Sequence, residues 1–367
     1  MRLLQEGQII RGTYEVERFL GEGAFAEVYR VRHRFLGRQA LKIFKTVGLT
    51  VAEIEIMLGE AIILSQLGHP NIIRVYDANT TETSLGTFGF FTMEYVGGGS
   101  LEQFWKSHGA QFVPVKSAVE IIQQICQGLA VAHDESPPII HRDIKPQNIL
   151  VGYDAGGLRA RLSDFGLAKR VNPLTMFASA RGTLAFKPPE AFAQQPKDSA
   201  AGDVWALGST LYLMLTDRLP YGQIGEFDAA DYTRFSEPLI APSRLNVQVD
   251  ASLDQIVFRA LSIDAAKRYA NAKALLEALN RWKPRTGPSE KAVALGESDS
   301  QKSALGPQAS LDLAKAKTMA DKALRLARDG GRLGEAADLM EEAFNLSPDL
   351  RAKYENLVKA WRRGIAM

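Results

Sequence analysis

The stretch His141-Arg142-Asp143-Ile144-Lys145-Pro146-Gln147-Asn148 sets an acid, a lysine and an amide at fixed offsets within one short segment. Asp143 can accept a proton, Lys145 can offset the charge of an anion, and Asn148 offers an amide oxygen to a metal ion. Groups of these types so close together suit the handling of a charged, reacting group. One short match can arise by chance, so its companions along the chain decide.

The stretch resembles the catalytic loop of the eukaryotic-type (Hanks-type) serine/threonine protein kinases. Lysine two residues after the acid, followed by proline, is the form directed at Ser and Thr. The resemblance implies that Asp143 accepts the hydroxyl proton of a substrate, Lys145 offsets charge on the transferring phosphoryl group, and Asn148 holds magnesium. Upstream, Leu20-Gly21-Glu22-Gly23-Ala24-Phe25-Ala26-Glu27-Val28 is similar to the family's glycine-rich loop. Glycine leaves the backbone free to approach a phosphate with no Cβ in the way, so that N–H groups face the anion. Ala26 stands at the third glycine position of the family, and Val28 suits a lid over adenine. Ala40-Leu41-Lys42 resembles the strand-borne lysine motif. A lysine in an apolar strand is costly unless paired. The family partner is a helix glutamate, for which Glu60 fits by its offset from His69-Pro70, with Glu53 and Glu55 as rivals.

Phe91-Thr92-Met93-Glu94-Tyr95-Val96 reads as a buried strand entering the loop Gly97-Gly98-Gly99-Ser100. By resemblance it is the hinge between two lobes, with Met93 at the back of the adenine pocket and Glu94 and Val96 beside it. Leu20, Val28, Ala40, Met93 and Leu150 would wall that pocket. Asp164, in Ser163-Asp164-Phe165-Gly166, would hold magnesium across the ATP phosphates. Gly182 to Glu190 resembles the end of an activation segment, closing on Pro188-Pro189-Glu190 where the family usually reads Ala-Pro-Glu, with Lys187 just before it. Arg268 matches the arginine that pairs with that glutamate, and Asp203 matches the acid that bonds the catalytic-loop backbone. Arg142, with Lys169 and Arg170, would draw a phosphate on Thr175 or Ser179, and the family counterpart of Thr183 bonds the catalytic loop.

Composition agrees with a folded, water-exposed protein: 46% of residues are hydrophobic and 23% charged, and the net charge is +2 over 367 residues. A near balance excludes bulk binding of nucleic acid by charge alone. The single cysteine, Cys126, lies in a helical pattern and reads as buried and inert, and one cysteine allows no disulfide within the chain, which suits a reducing compartment. The first ten residues lack the apolar stretch of a signal peptide. The longest apolar run, Val204 to Leu215, is shorter than the ~20 residues needed to span a bilayer and reads as a buried central helix. Many bacterial relatives carry a span after the kinase region, so its lack here points to a cytoplasmic protein.

Pro284 to Ser310 is rich in Gly, Pro, Ser, Ala and charge without periodicity, as in flexible linkers. Helical periodicity returns over residues 311–367, with Gly330-Gly331 as a turn and a further helix from Asp349 to Arg363. This tail resembles one tetratricopeptide repeat plus a capping helix, although any helical hairpin shares much of the pattern. A single repeat cannot bury its faces alone, so the tail should dock on the kinase, self-associate or bind a partner protein, with Tyr354, Leu357 and Trp361 as candidate contacts.

The expected architecture is α+β and bilobal: a kinase domain over residues 1–283 (core 14–282), a linker over 284–310 and a helical segment over 311–367. The small lobe would be an antiparallel sheet with one helix, the large lobe mainly helical, with ATP and Mg2+ between them. The expected activity is transfer of the γ-phosphoryl group of ATP to Ser/Thr hydroxyls of proteins. The alternative is a pseudokinase or adaptor that uses the fold and tail to bind partners.

Overall fold

The computed structural model describes residues 2–23, 26–45, 58–59, 61–62, 64–83, 85–108, 112–165, 184–193, 197–222, 232–284, 307–328 and 332–365. The first quarter is dominated by one antiparallel sheet built from β1 (Ile9–Ile10), β2 (Tyr14–Glu22), β3 (Ala26–His33), β4 (Gly37–Phe44), β5 (Val75–Thr83) and β6 (Gly86–Glu94), in the order β1-β2-β3-β4-β6-β5. Alternation sets its two faces: Val16, Tyr29, Val31, Leu41, Ile43, Phe88 and Phe90 pack into one apolar cluster. Ala40, Phe44, Phe91 and Met93 join the main core on the other side. Residues 58–59, 61–62 and 64–66 are helical, with Ala61 and Leu64 buried.

The large lobe is helical: α1 (Leu101–Lys106), α2 (Val115–Asp134), α3 (Ala200–Thr216), α4 (Ala251–Ala260) and α5 (Ala272–Arg281). A small hairpin, β7 (Ile149–Asp154) with β8 (Gly157–Leu162), lies beside the catalytic loop. The apolar run 204–215 forms α3, as its composition implied, and every residue from Asp203 to Thr216 is buried. A helix apolar all round belongs at the centre of a lobe. Its N-cap, Ser199, accepts from Gly202 N, and Asp217 closes it in the left-handed conformation at φ 55°. Cys126 on α2 is fully buried, and burial pushes its thiol well above the ordinary value, in line with an inert side chain. No helix among the described residues is long and apolar enough to cross a membrane.

Three further helices follow: α6 (Pro307–Arg328), α7 (Leu333–Phe344) and α8 (Pro348–Arg362). Residues 285–306 of the expected linker lie outside the described residues, and its last part is helical, since α6 starts at Pro307 rather than Leu311. Proline suits a helix start because its φ is preset and the missing N–H would have no partner there. Small residues let the helices approach: Ala320, Ala323, Ala327, Ala336, Ala337 and Ala343 are buried with Met340, Phe344, Val358 and Trp361. Phe344 and Trp361 therefore serve the tail's own core. Tyr153 of β7 completes that core, so the tail docks on the β7–β8 hairpin of the large lobe.

Candidate active site

The catalytic loop is held from below by one carboxylate. Asp203, in the first turn of α3 and only 2% exposed, accepts from His141 N at 2.8 Å and from Arg142 N at 2.9 Å, with His133 Nε2 3.0 Å away. Arg142 has φ +69°, a left-handed conformation costing about 1–3 kcal/mol for a residue with a side chain, and the Asp203 bonds hold it. Burial pushes His141 below its ordinary value, so the ring is neutral. Its Nε2 lies 3.0 Å from Ser163 O and its Nδ1 accepts from Asp143 N at 3.2 Å, which fixes the proton on Nε2.

Above this base the side chains expected to be catalytic converge. Asn148 Nδ2 donates to Asp143 O at 2.7 Å and to Asp143 Oδ2 at 3.1 Å, and Lys145 Nζ lies 3.1 Å from the same Oδ2. The amide nitrogen is thereby committed to Asp143, which leaves the Asn148 oxygen as its ligating atom. Across the cleft, strand register sets Val28 opposite Lys42, and Lys42 opposite Phe91. Lys42 Nζ reaches Asp164 Oδ1 at 2.7 Å. Burial alone would raise the Asp164 carboxyl, but the Lys42 ammonium outweighs it and holds the group below the usual carboxylate value. Phe165 is fully buried against His141, ring centroids 4.5 Å apart. Glu60, the expected partner of Lys42, lies outside the described residues.

Val28, Ala40, Met93, Val96 and Leu150 share one apolar cluster, with Ala40 opposite Met93 in the sheet. Leu20 stands outside that cluster at 37% exposure. A Cβ added at Gly21 or Gly23 would meet nothing within 4 Å, which is the open space a glycine-rich cradle needs. Glu94 pairs with Arg161 at 2.9 Å. No cluster of three or more His, Cys, Asp or Glu side chains that could hold a metal by itself occurs among the described residues. Magnesium commonly takes one or two protein ligands and completes its shell with substrate phosphates and water, and Asp164 with Asn148 fits that mode.

Toward the substrate side, Arg268 forms two parallel bonds to Glu190, each of 2.7 Å, and stacks over Trp205 at 4.8 Å. The sequence indicated this pair but gave Lys187 no role. Lys187 Nζ donates to Arg142 O at 2.5 Å and ties the Pro188-Pro189-Glu190 segment to the catalytic loop. Arg142 Nε in turn lies 2.6 Å from Asp198 Oδ2, a contact with no motif to announce it. Thr175, Ser179, Thr183, Lys169 and Arg170 lie outside the described residues.

A two-lobed fold with a lysine–aspartate pair across the cleft and an Asp-Lys-Asn loop beside it is the arrangement of the protein kinase class. The family model for the protein kinase domain matches residues 14–282, and the chain belongs to that family. It is 31% identical over 279 residues to the serine/threonine-protein kinase PknB of Mycolicibacterium smegmatis, covering 72% of this chain and 42% of that protein. A probable serine/threonine-protein kinase of Clostridium perfringens is 31% identical over 281 residues, covering 76% and 39%. The kinase domain of Mycobacterium tuberculosis PknI superposes with a TM-score of 0.56 at 25% identity, covering 76% of this chain and 98% of that one. The chain thus spans less than half the length of these two curated relatives.

Proposed function

We propose that the chain is an ATP-dependent serine/threonine protein kinase that phosphorylates protein hydroxyls and acts in signalling, within the cytoplasm. The observation that carries this is the cleft itself. Lys42 and Asp164 meet at 2.7 Å on one side, and Asp143, Lys145 and Asn148 meet within 3.1 Å on the other. Phosphoryl transfer asks the protein mainly for positioning and charge stabilisation, and these are the groups that provide both.

Lys42 binds the ATP phosphates, and Asp164 and Asn148 hold magnesium, which when bound neutralises phosphate charge. Asp143 orients the attacking hydroxyl and takes its proton, held in place by Asn148 and by the loop below. Lys145, beside Asp143, offsets negative charge on the transferred group. Gly21 and Gly23 give the phosphates backbone approach, while Val28, Ala40, Met93, Val96 and Leu150 wall the adenine with Leu20 at its edge. The backbone at Glu94 and Val96 is suited to read the base. Every residue of the transfer set is present and the main ones are assembled, which leaves nothing in favour of the pseudokinase alternative.

Asp143→Asn tests this directly. Transfer of labelled phosphate should fall by about 10²–10⁴, as for the loss of a positioned base, with ATP affinity changed less than about twofold. Activity equal to the wild type would remove Asp143 from the mechanism.

A further inference from the structure

Helix α7 lies against the outer side of the hinge. Its residues Asp338 and Glu342 and its C-cap Asn345 recur at helical spacing and so share a face. A Cβ added at Gly97 would lie 2.9 Å from Asp338 Cα, so helix and hinge backbones are in close approach. Asn345 Nδ2 donates to Gly98 O at 2.8 Å. Glu342, 7% exposed, is the centre of the contact: its Oε1 lies 2.7 Å from Arg30 Nη1 and its Oε2 2.9 Å from Arg18 Nη2. The Tyr95 hydroxyl donates to the same carboxylate.

The places of these three partners matter. Arg18 is on β2, two residues before Leu20. Arg30 is on β3, two residues after Val28. Tyr95 stands between Glu94 and Val96. One carboxylate therefore gathers two strands and the hinge at points next to the residues that line the nucleotide pocket. Remove its charge and two guanidinium groups on neighbouring strands lose their common counter-ion, although Arg30 keeps Glu17 at 2.6 Å.

We propose that Glu342 is a positioning residue for the nucleotide site, a carboxylate supplied by the C-terminal helices that holds β2, β3 and the hinge at the spacing ATP requires. The proposal rests on the nucleotide reading given above. Glu342 touches none of the groups that move the phosphoryl group. Asp143, Lys145 and Asn148 stand on the Asp203-anchored loop, so the effect is on binding rather than on the chemical step.

The test is steady-state kinetics of the full chain against ATP for wild type and Glu342→Gln, with isothermal titration of a non-hydrolysable ATP analogue and Mg2+. The expected result is an ATP KM raised about tenfold, with kcat within about twofold, the size of effect that loss of a charge-assisted contact gives. Arg18→Met, at a position one-third exposed and so safe for folding, should raise KM in the same direction by about threefold. Wild-type protein that binds the analogue, with KM unchanged in both variants or with kcat falling alone, would overturn the proposal. Wild-type protein with no saturable ATP dependence would overturn the nucleotide reading itself.

Discussion

Asp203 and Glu342 are both buried carboxylates that tie a functional segment to a helix, yet they do it in different ways. Asp203 is fixed in the first turn of α3 and accepts from two backbone N–H groups of one loop. Its targets have no freedom to leave. Glu342 instead holds the tips of two arginines and a tyrosine that come from different elements. Long side chains can release and rebind at modest cost, so that contact yields more readily than two backbone bonds to one fixed carboxylate. The loop from His141 to Asn148 is held by backbone bonds to one carboxylate, and the strands and hinge are held by long side chains.

Removing the first anchor should have the larger effect. Asp203→Ala leaves the N–H groups of His141 and Arg142 buried without an acceptor. At about 1–3 kcal/mol for each group, stability should fall by about 2–6 kcal/mol, read as a lower urea midpoint, with transfer activity lost in parallel. Unchanged stability would mean that the loop is held by something other than Asp203.

The second test separates Glu342 from its neighbour Glu341, which faces the large lobe. Burial pushes the Glu341 carboxyl from 4.5 up to about 7, against the pull of Arg362 and with Asp338 adding repulsion. Arg362 lies 2.7 Å away, and the buried Arg351 also faces it. Between pH 4.5 and about 7 the folded chain keeps a proton on Glu341 that the unfolded chain releases. Raising pH through that window therefore removes stability, with no further change above it. Urea unfolding at pH 5 and at pH 7.5 should show this loss, up to about 3 kcal/mol. Glu341→Gln should flatten it, since Arg362 keeps Asp338 at 2.7 Å. An equal slope in the variant would place the titration elsewhere.

The smallest effect is expected at Gly97→Ala. The added methyl would meet the α7 backbone at 2.9 Å, and the helix must shift by a few tenths of an ångström. Overpacking of this kind costs about 1–3 kcal/mol, and the low end applies where a helix can move. The thermal midpoint should fall slightly and ATP KM should rise. Both unchanged would show that α7 does not bear on the hinge.

The same contrast explains what the sequence could reveal. Asp143, Asn148, Asp164, Asp203 and the Glu190–Arg268 pair are legible because each stands in a short motif that resembles the protein kinases, even where, as for Glu190 and Arg268, the partners are 78 residues apart. Helix α3 is legible from its apolar run alone. The seat of the tail is not legible, because its ties have no local pattern: Tyr95 and Glu342 are 247 residues apart, and a surface arginine looks the same whether it meets water or acid. Gly97-Gly98-Gly99 reads as a linker, while Gly97 answers to the close approach of α7 and a Cβ at Gly98 would fall 2.2 Å from Val151 O. Lys187 reads as a departure from pattern, and its reason appears only when its ammonium is seen to cap the Arg142 carbonyl.

The hinge contact also has a consequence in time. A ribosome delivers residues 14–282 before residues 333–344. At about 5–20 residues per second, the span from Tyr95 to Glu342 takes roughly 12–50 s to synthesise. For that interval the nascent sheet carries Arg18 and Tyr95 without their acid partner from α7. If Glu342 positions the nucleotide site as proposed, that site stays loose until α7 emerges. On the same proposal, a chain cut or stalled before that helix carries the whole Asp143–Asn148 loop and holds nucleotide poorly.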